Sequence, residues 1–528
     1  MRKFTRRETM MMLAAAAPAW KLGAGQTPAA GQWPIRKGPF AGTHESLAAY
    51  VTPQWFGEAK FGIWSHWGPQ SGVEDGDWYA RNMYVQGRPE YEYHLKTYGP
   101  QSKVGYKDLI PQFKAARWDP DHLLDLYTKA GAKYFFSMGV HHDNFDMWHS
   151  KYQPRWNAVA TGPKRDIVGE YAKAARKHGL RFGVSEHLSN SYAWLSPSHR
   201  ADKTGPLAGV PYDGNDPAYA DLYHDYSGQP ADFTTVAEAM QRVDNPKWKM
   251  NYFQRIKDLV DQYEPDLLYT DGGIPYGELG LSLVANHYNV SAARHGGKVE
   301  AVYFSKTPSD CEQGTCSLDR ERGVLDGIAP HPWQTDTCIG QWHYKRGAKY
   351  KSAKNVVDLL VDIVSKNGNL LLNFPLPNSG ELDAEEMKVL ADLTAWMQVN
   401  SEGIYATKPW LVYGEGPSTK VAVSKGMFDF NESKRPQMGT EDVRFTTKGS
   451  TLYAFVQGWP AGGEAKVVSL GQQAELAGKS APKITSARML GRSENLRFRQ
   501  QPDGLFVTLP GEAPATGNIG VTLKLTTA

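Results

Sequence analysis

The sequence predicts an α/β fold, a (β/α)8 barrel followed by an antiparallel β-sandwich. Three observations carry this expectation. Between residues 55 and 400, short apolar runs alternate with segments of helical periodicity. After residue 405 the helical segments stop, and short β-branched runs separated by Gly, Asn and Pro take over. The chain has 528 residues, more than one core ordinarily holds, so at least two domains are expected.

Taken in order, residues 1–30 stand apart from the fold. "MRKFTRRETMMMLAAAAPAW" places basic residues before a short apolar run, 10–17, with small residues after it. That pattern reads as an export signal and not a membrane span, because the run is too short to cross a bilayer. Arg6 and Arg7 directly before it give the signal a twin-arginine character, so the expected location is periplasmic or extracellular. No other segment has the length and apolarity of a span.

The expected catalytic barrel covers residues 31–404. Its strand runs are "FGIWSHWG", "KYFFSMGV", "RFGVSEH", "DLLYTDGG", "VEAVYFS" and "GNLLLNFP". Between several of them lie helices with readable ends. "DPDHLLDLYTKAGA" starts at Asp and stops at Gly, and "RDIVGEYAKAARKHG" ends Lys-His-Gly. "NYFQRIKDLVDQYEPD" stops before a proline; "SAKNVVDLLVDIVSKNG" and "DAEEMKVLADLTAWMQVN" are strongly periodic. Repeated strand–helix units imply parallel strands, and about eight over this length favour a closed barrel. No G-x-G-x-x-G follows a strand, which argues against a dinucleotide fold. A helix-poor insert, 196–230, is rich in Gly, Pro, Asp and Tyr, and its tyrosines suggest order over a cleft. The remainder, 405–528, holds "DVRFTT", "STLYAFVQ" and "NIGVTLKLTT" and reads as the sandwich.

Composition narrows the function classes. Lys+Arg 59 against Asp+Glu 56 leaves +3, so nothing favours nucleic acid as a partner. Sixteen Trp and 27 Tyr, several among polar residues, suit sugars, whose C–H faces are apolar. Cys311 and Cys316 are close enough to pair, leaving Cys338, and no C-x-x-C spacing suggests zinc. No sequence feature sets an oligomeric state.

In a (β/α)8 barrel the chemistry sits where the strands end. Those ends carry His66 and Trp67, then Asp77, Trp78 and Tyr79; His141, His142 and Asp143; Glu186 and His187; and Asp271. Further on come Asp319, Glu321, Trp333 and Trp342. Two chemistries fit. Histidines with carboxylates can hold a divalent metal for hydrolysis. Against this, His141 and His142 are adjacent at a strand end, where side chains are expected to point apart. Glycoside hydrolysis instead needs two carboxylates, neutral donors for hydroxyls and an aromatic wall, all of which are present.

The motifs "WFGEAKFGIWSHWG", "DWYARNMY", "KYFFSMGVHHDNFDMWHSKYQPRWN", "TGPKRDIVGEYAKAARKHGLRFGV", "YEPDLLYTDGG" and "KYKSAKNVVDLLVDIVSKNGNLLLNFP" closely resemble glycoside hydrolase family 29, the α-L-fucosidases. "VNSEGIYATKPWLVYGEGP" resembles that family's passage from barrel to sandwich, and the similarity spans residues 55–417. The resemblance implies a retaining exo-fucosidase acting on fucosylated glycans, with no cofactor and no metal. It implies Asp271 in "YTDGG" as nucleophile, and His66, His141, His142, Asp77 and Trp78 as contacts to the sugar. Glu186 and Trp333 are expected as further contacts.

Three departures from the family pattern stand out. Val184-Ser185-Glu186-His187 replaces paired tyrosines and a serine, Gln334 stands where many members have Glu, and Asp77 is shorter than the usual Glu. Restriction to fucose over L-galactose, which adds only a C6 hydroxyl, therefore stays open. The acid/base is sought among Glu321, Glu312 and Glu186. Glu321, twelve positions before Trp333, matches the spacing of some family members and is the expected one. A catalytically altered fucose-binding barrel and a metal-dependent hydrolase remain the alternatives.

Overall fold

The computed structural model describes residues 33–225, 245–421 and 431–528. The expected export signal and residues 226–230 of the insert lie outside them. Eight parallel strands make the first sheet: β1 (Phe61–Ser65), β2 (Tyr134–Val140), β3 (Arg181–Glu186), β4 (Leu267–Thr270), β5 (Val302–Ser305), β6 (Ser317–Leu318), β7 (Trp333–Cys338) and β8 (Gly368–Asn373). Their order is β6-β5-β4-β3-β2-β1-β8-β7. A parallel bridge between Asp319 and Gln334 joins the two ends, which closes the barrel as expected.

β6 and β7 were not among the apolar runs of the sequence. β6 is two residues long. β7, "WQTDTC", is polar yet fully buried, because its polar side chains meet partners inside the protein. Gln334 Nε2 donates to Asp319 Oδ2 at 2.8 Å, and Thr335 Oγ1 donates to Gly323 O at 2.6 Å.

The barrel interior is filled by alternate residues. Tyr134, Phe136 and Met138 of β2 face inward with Trp64, Tyr269 and Phe304, whereas Phe135 and Val140 face the helices. Small residues on neighbouring strands make room for the large ones. A Cβ on Gly62 would lie 2.2 Å from the ring of Tyr134, its register partner.

The helices begin and end where their caps dictate. Helix α1 (Pro120–Lys129) starts at Asp119, whose side chain accepts the Asp121 and His122 N–H groups, and Gly131 at φ +100° follows its end. In α2 (Ile167–Lys177), Asp166 accepts Gly169 N–H. Helix α3 (Pro246–Tyr263) starts earlier than its periodicity suggests, because Asn245 caps it through Trp248 N–H. Helix α4 (Glu278–Arg294) left no amphipathic signal because nearly all of it is buried. Capping boxes open α5 (Ala353–Ser365) at Ser352 and α6 (Ala384–Asn400) at Asp383.

The C-terminal part forms a five-stranded and a three-stranded antiparallel sheet around one apolar core that includes Phe445, Val456, Leu505 and Leu523. It is fastened to the barrel by a buried charge cluster. Asp362 of α5 accepts from Arg444 Nε at 2.6 Å and pairs with Arg435 at 2.9 Å and Lys366 at 2.9 Å.

The described part of the insert, 196–225, is ordered by tyrosine–aspartate contacts. Tyr212 and Tyr91 both donate to Asp202 Oδ1, while Tyr84 and Tyr223 donate to the two oxygens of Asp213. It packs beside the barrel mouth and contributes no described residue to the pocket lining. Cys311 and Cys316 form a disulfide, and Cys338 is a buried thiol facing Gly340 O.

Candidate active site

The residue that directly follows each of the first five strands points into one pocket. These are His66, His141, His187, Asp271 and Lys306, and all five line it. Asp77, Trp78, His142, Glu321, Asp336 and Trp342 complete the wall with Trp64, so that charged groups, imidazoles and indoles share one small cleft.

Asp271 leaves β4 on a backbone held by Glu186 O, 3.2 Å from its N–H. Lys306 Nζ donates to its Oδ1 at 2.6 Å; His142 Nε2 and His187 Nδ1 each lie 3.3 Å from its Oδ2. Burial alone would raise its pKa. The Lys306 ammonium first, then the His187 and His142 rings against its Oδ2, outweigh that and hold it well below the ordinary carboxylate value. The group is therefore an anion at neutral pH.

Lys306 also donates to Glu321 Oε2 at 2.7 Å, and Trp342 Nε1 donates to Glu321 Oε1 at 3.1 Å. Burial disfavours the Lys306 ammonium, but Asp271, Glu321, Asp336 and Asp319 around it raise its pKa well above normal. Beneath them, burial lifts Asp336 to about 6, and burial with the neighbouring Asp336 holds Asp319 well above the ordinary carboxylate value, so carboxyl groups there hold protons that exposed ones would lose.

His66, His141 and His187 present neutral rings. Burial, then the neighbouring His343 and His187, push His66 well below its ordinary value; burial drives His187 down to about 4. His141 Nδ1 is held by Gln70 Nε2 at 3.0 Å, and His142 Nδ1 faces His187 O at 2.7 Å. Among the described residues, His66 Nδ1 and both ring nitrogens of His187 are buried without a hydrogen bond of good geometry, the 3.3 Å approach of His187 Nδ1 to Asp271 being a looser electrostatic contact. Asp77 is steadied by His343 Nδ1 at 3.2 Å, and Trp78 sits at φ +62° with its ring edge-on to His142.

Two expected contacts lie away from the pocket wall. Glu186 is buried behind Asp271, where Tyr252 and Thr270 hydroxyls and Leu188 N–H occupy its oxygens. As the last residue of β3 it turns away from the mouth, and His187 takes the place at the pocket. Trp333 opens β7 at the opposite end of the barrel, donating to Lys366 O at 3.0 Å. Gln334 is likewise interior, and Glu312 is exposed at the end of a short helix.

The expectation that His141 and His142 point apart is corrected. Both lie beyond the last residue of β2, where strand alternation no longer applies, and their ring centroids are 4.5 Å apart. Ligand nitrogens of His141, His142 and His187, and of His66, His141 and His343, lie within 4.8 Å of one another, so either trio could hold a metal ion. Lys306 was missed, although the strand-end rule applied to "VYFSK" points to it. Asp336 was missed because β7 was not read as a strand.

The alpha-L-fucosidase family model matches residues 30–402, well over half of the chain. The chain belongs to the α-L-fucosidase family. A second model, the alpha-L-fucosidase C-terminal domain, matches residues 437–526. Among curated relatives of the family, the human tissue alpha-L-fucosidase is 28% identical over 495 residues, covering 91% of this chain and 90% of its own. The human plasma alpha-L-fucosidase is 29% identical over 493 residues, covering 89% and 88%. The solved Thermotoga maritima alpha-fucosidase in complex with fucose is 27% identical with a TM-score of 0.68, covering 92% of this chain and 100% of that one. The same enzyme with a mechanism-based inhibitor gives 27% and 0.69, with the same coverage.

Proposed function

We propose that the protein is a retaining exo-α-L-fucosidase that releases terminal α-L-fucose from oligosaccharides or glycoconjugates by double displacement. The shared ammonium carries the reading. Lys306 Nζ is 2.6 Å from Asp271 Oδ1 and 2.7 Å from Glu321 Oε2, so those oxygens are no further apart than the two lengths laid end to end. Retaining glycosidases need carboxyl groups about 5–5.5 Å apart, and inverting ones about 6.5–9.5 Å.

In this assignment Asp271 attacks the anomeric carbon while Glu321 gives a proton to the departing oxygen. Water then attacks the anomeric carbon, Glu321 takes a proton from that water, and the bond to Asp271 breaks to restore its carboxylate. Forming the ester removes the Asp271 charge. The Lys306 charge is then left facing Glu321 in the step where that group must be a carboxylate. His66, His141, His142 and His187, with Asp77, bind hydroxyls; Trp78 and Trp342 supply aromatic wall.

The family match and the Thermotoga maritima complexes support this assignment. The histidine trios favour a metal-dependent hydrolase as the second reading. NMR of the first-formed product separates the two. Release of α-L-fucose that survives dialysis against a chelator supports the proposal, while β-L-fucose, or loss of activity restored by zinc, refutes it. We assign residues 31–404 to the catalytic domain and 405–528 to the sandwich, and 1–30 to a twin-arginine-type export signal. Among the described residues no helix is long and apolar enough to cross a membrane.

A further inference from the structure

The segment that carries Glu321 is held from two domains. Its barrel side is tied to β7: Arg320 N–H donates to Gln334 O at 2.9 Å, and Arg322 N–H donates to Asp336 O at 2.8 Å. Arg322, directly after Glu321, sits at φ +46°, a left-handed conformation that an arginine keeps only when its surroundings fix it. Its other side meets a turn of the C-terminal domain, Asn431–Lys434. Asn431 is buried and clasps one residue from both sides, its Oδ1 accepting Val324 N–H at 3.0 Å and its Nδ2 donating to Val324 O at 3.2 Å. Glu432 N–H donates to Arg322 O at 3.1 Å. The Glu432 carboxylate accepts from Thr337 Oγ1 at 2.6 Å and pairs with Lys351.

We propose that this turn is a positioning element for the acid/base: Asn431 and Glu432 hold the backbone at Arg322 and Val324 so that the Glu321 carboxyl stays against Lys306 and Trp342. This rests on the reading of Glu321 as acid/base. The contacts differ in kind from those that fasten the domains elsewhere. The Asp362 cluster and the bond from Trp396 Nε1 to Gly520 O at 2.8 Å lie on α5 and α6, away from the pocket. The Asn431 clasp ends instead on backbone next to a catalytic group. Releasing it lets Arg322 relax and carries Glu321 with it. Asp271, fixed on β4 by His142, His187 and Lys306, stays in place. The damage is therefore confined to proton transfer, where a small misplacement costs a large factor.

The test uses the full chain and kcat/KM, which reports the first step alone. Asn431→Ala is expected to lose about tenfold on a fucosyl disaccharide and under twofold on a 2,4-dinitrophenyl fucoside, whose leaving group departs without a proton. Asn431→Asp keeps an acceptor for Val324 N–H and is expected to recover part of the loss. Thr337→Val, which removes a contact of Glu432, should steepen the leaving-group dependence in the same direction and serves if Asn431→Ala does not fold. An equal loss on both substrates, or no loss, overturns the proposal. Glu321→Ala run alongside separates the two claims. If it shows the steep dependence and the clasp variants do not, the positioning role fails; if it does not, the acid/base reading fails and the proposal with it.

Discussion

Replacing Lys306 with Met, a side chain of similar length without the charge, removes the ammonium that donates to Asp271 Oδ1. At 2.6 Å and an effective dielectric of about 20, the attraction is on the order of 6 kcal/mol. One pKa unit corresponds to about 1.4 kcal/mol, so even a quarter of that attraction is worth a full unit. The sign follows from the balance at Asp271. Burial raises its pKa and Lys306 is the largest influence lowering it, so without Lys306 the carboxyl becomes harder to ionise. The acid limb of kcat/KM, which reports ionisation of the nucleophile, should move up by more than one unit. In the parent that limb is expected below the ordinary carboxylate range, with activity persisting to low pH. Asp336, already at about 6, is placed to take up the proton that replaces the lost charge, so the fold should survive. The assay is the pH profile on an aryl α-L-fucoside for the parent, Lys306→Met and Lys306→Arg. An unmoved acid limb in Lys306→Met would refute the reasoning.

Removing one ring that is assigned to hydroxyl binding, by His66→Ala or His141→Ala, should cost about 1–3 kcal/mol, or roughly fivefold to 150-fold in kcat/KM. Parent-like kinetics in both variants would remove these histidines from the sugar site. Glu186→Gln disturbs a buried network with Tyr252 and Thr270 and should lower stability by about 1–3 kcal/mol while leaving the ratio of rates on aryl and natural fucosides unchanged. A selective loss on natural fucosides would make Glu186 the acid/base instead of Glu321. Asp362→Asn leaves Arg444 and Arg435 facing a neutral partner in a buried site and should cost about 3–5 kcal/mol at pH 7, read as a lower Tm. Burial raises the Asp362 pKa, but Lys366, Arg444 and Arg435 together depress it strongly. Its contribution is therefore full above the unfolded carboxylate pKa near 3.9 and fades below it, so the Tm difference should shrink as pH falls through that range.

The sequence made the barrel legible wherever a strand was buried and apolar or a helix had one wet face. β1 to β5 and β8 all lie in runs that alternate or are continuously apolar, and α1 carries an Asp-Pro start and a Gly stop. It hid β7 and α4 for opposite reasons. The polar residues of β7 are satisfied by partners brought from other strands, which no local pattern reveals. Helix α4 is buried nearly all round, so it shows no polar stripe. At the site, Asp271 and the histidines could be placed together from the sequence because each sits at or just beyond a strand end. Lys306 escaped because a lone lysine after a strand looks like a solvated residue, and only the fold shows it between two carboxylates. Glu186 was overvalued for the converse reason: its position marks a strand end, but its side chain turns inward to Tyr252 and Thr270.

The assignment of Asp271 as the nucleophile, with Glu321 held beside it by Lys306, is tested most directly by trapping the intermediate. The protein is incubated with a 2-fluoro fucosyl fluoride, digested and mapped by mass spectrometry. The expected result is one fluorofucosyl group per chain, on the peptide containing Asp271, with loss of activity in proportion and no labelling of Asp271→Ala. A label on any other carboxylate, or inactivation without a covalent label, would contradict it.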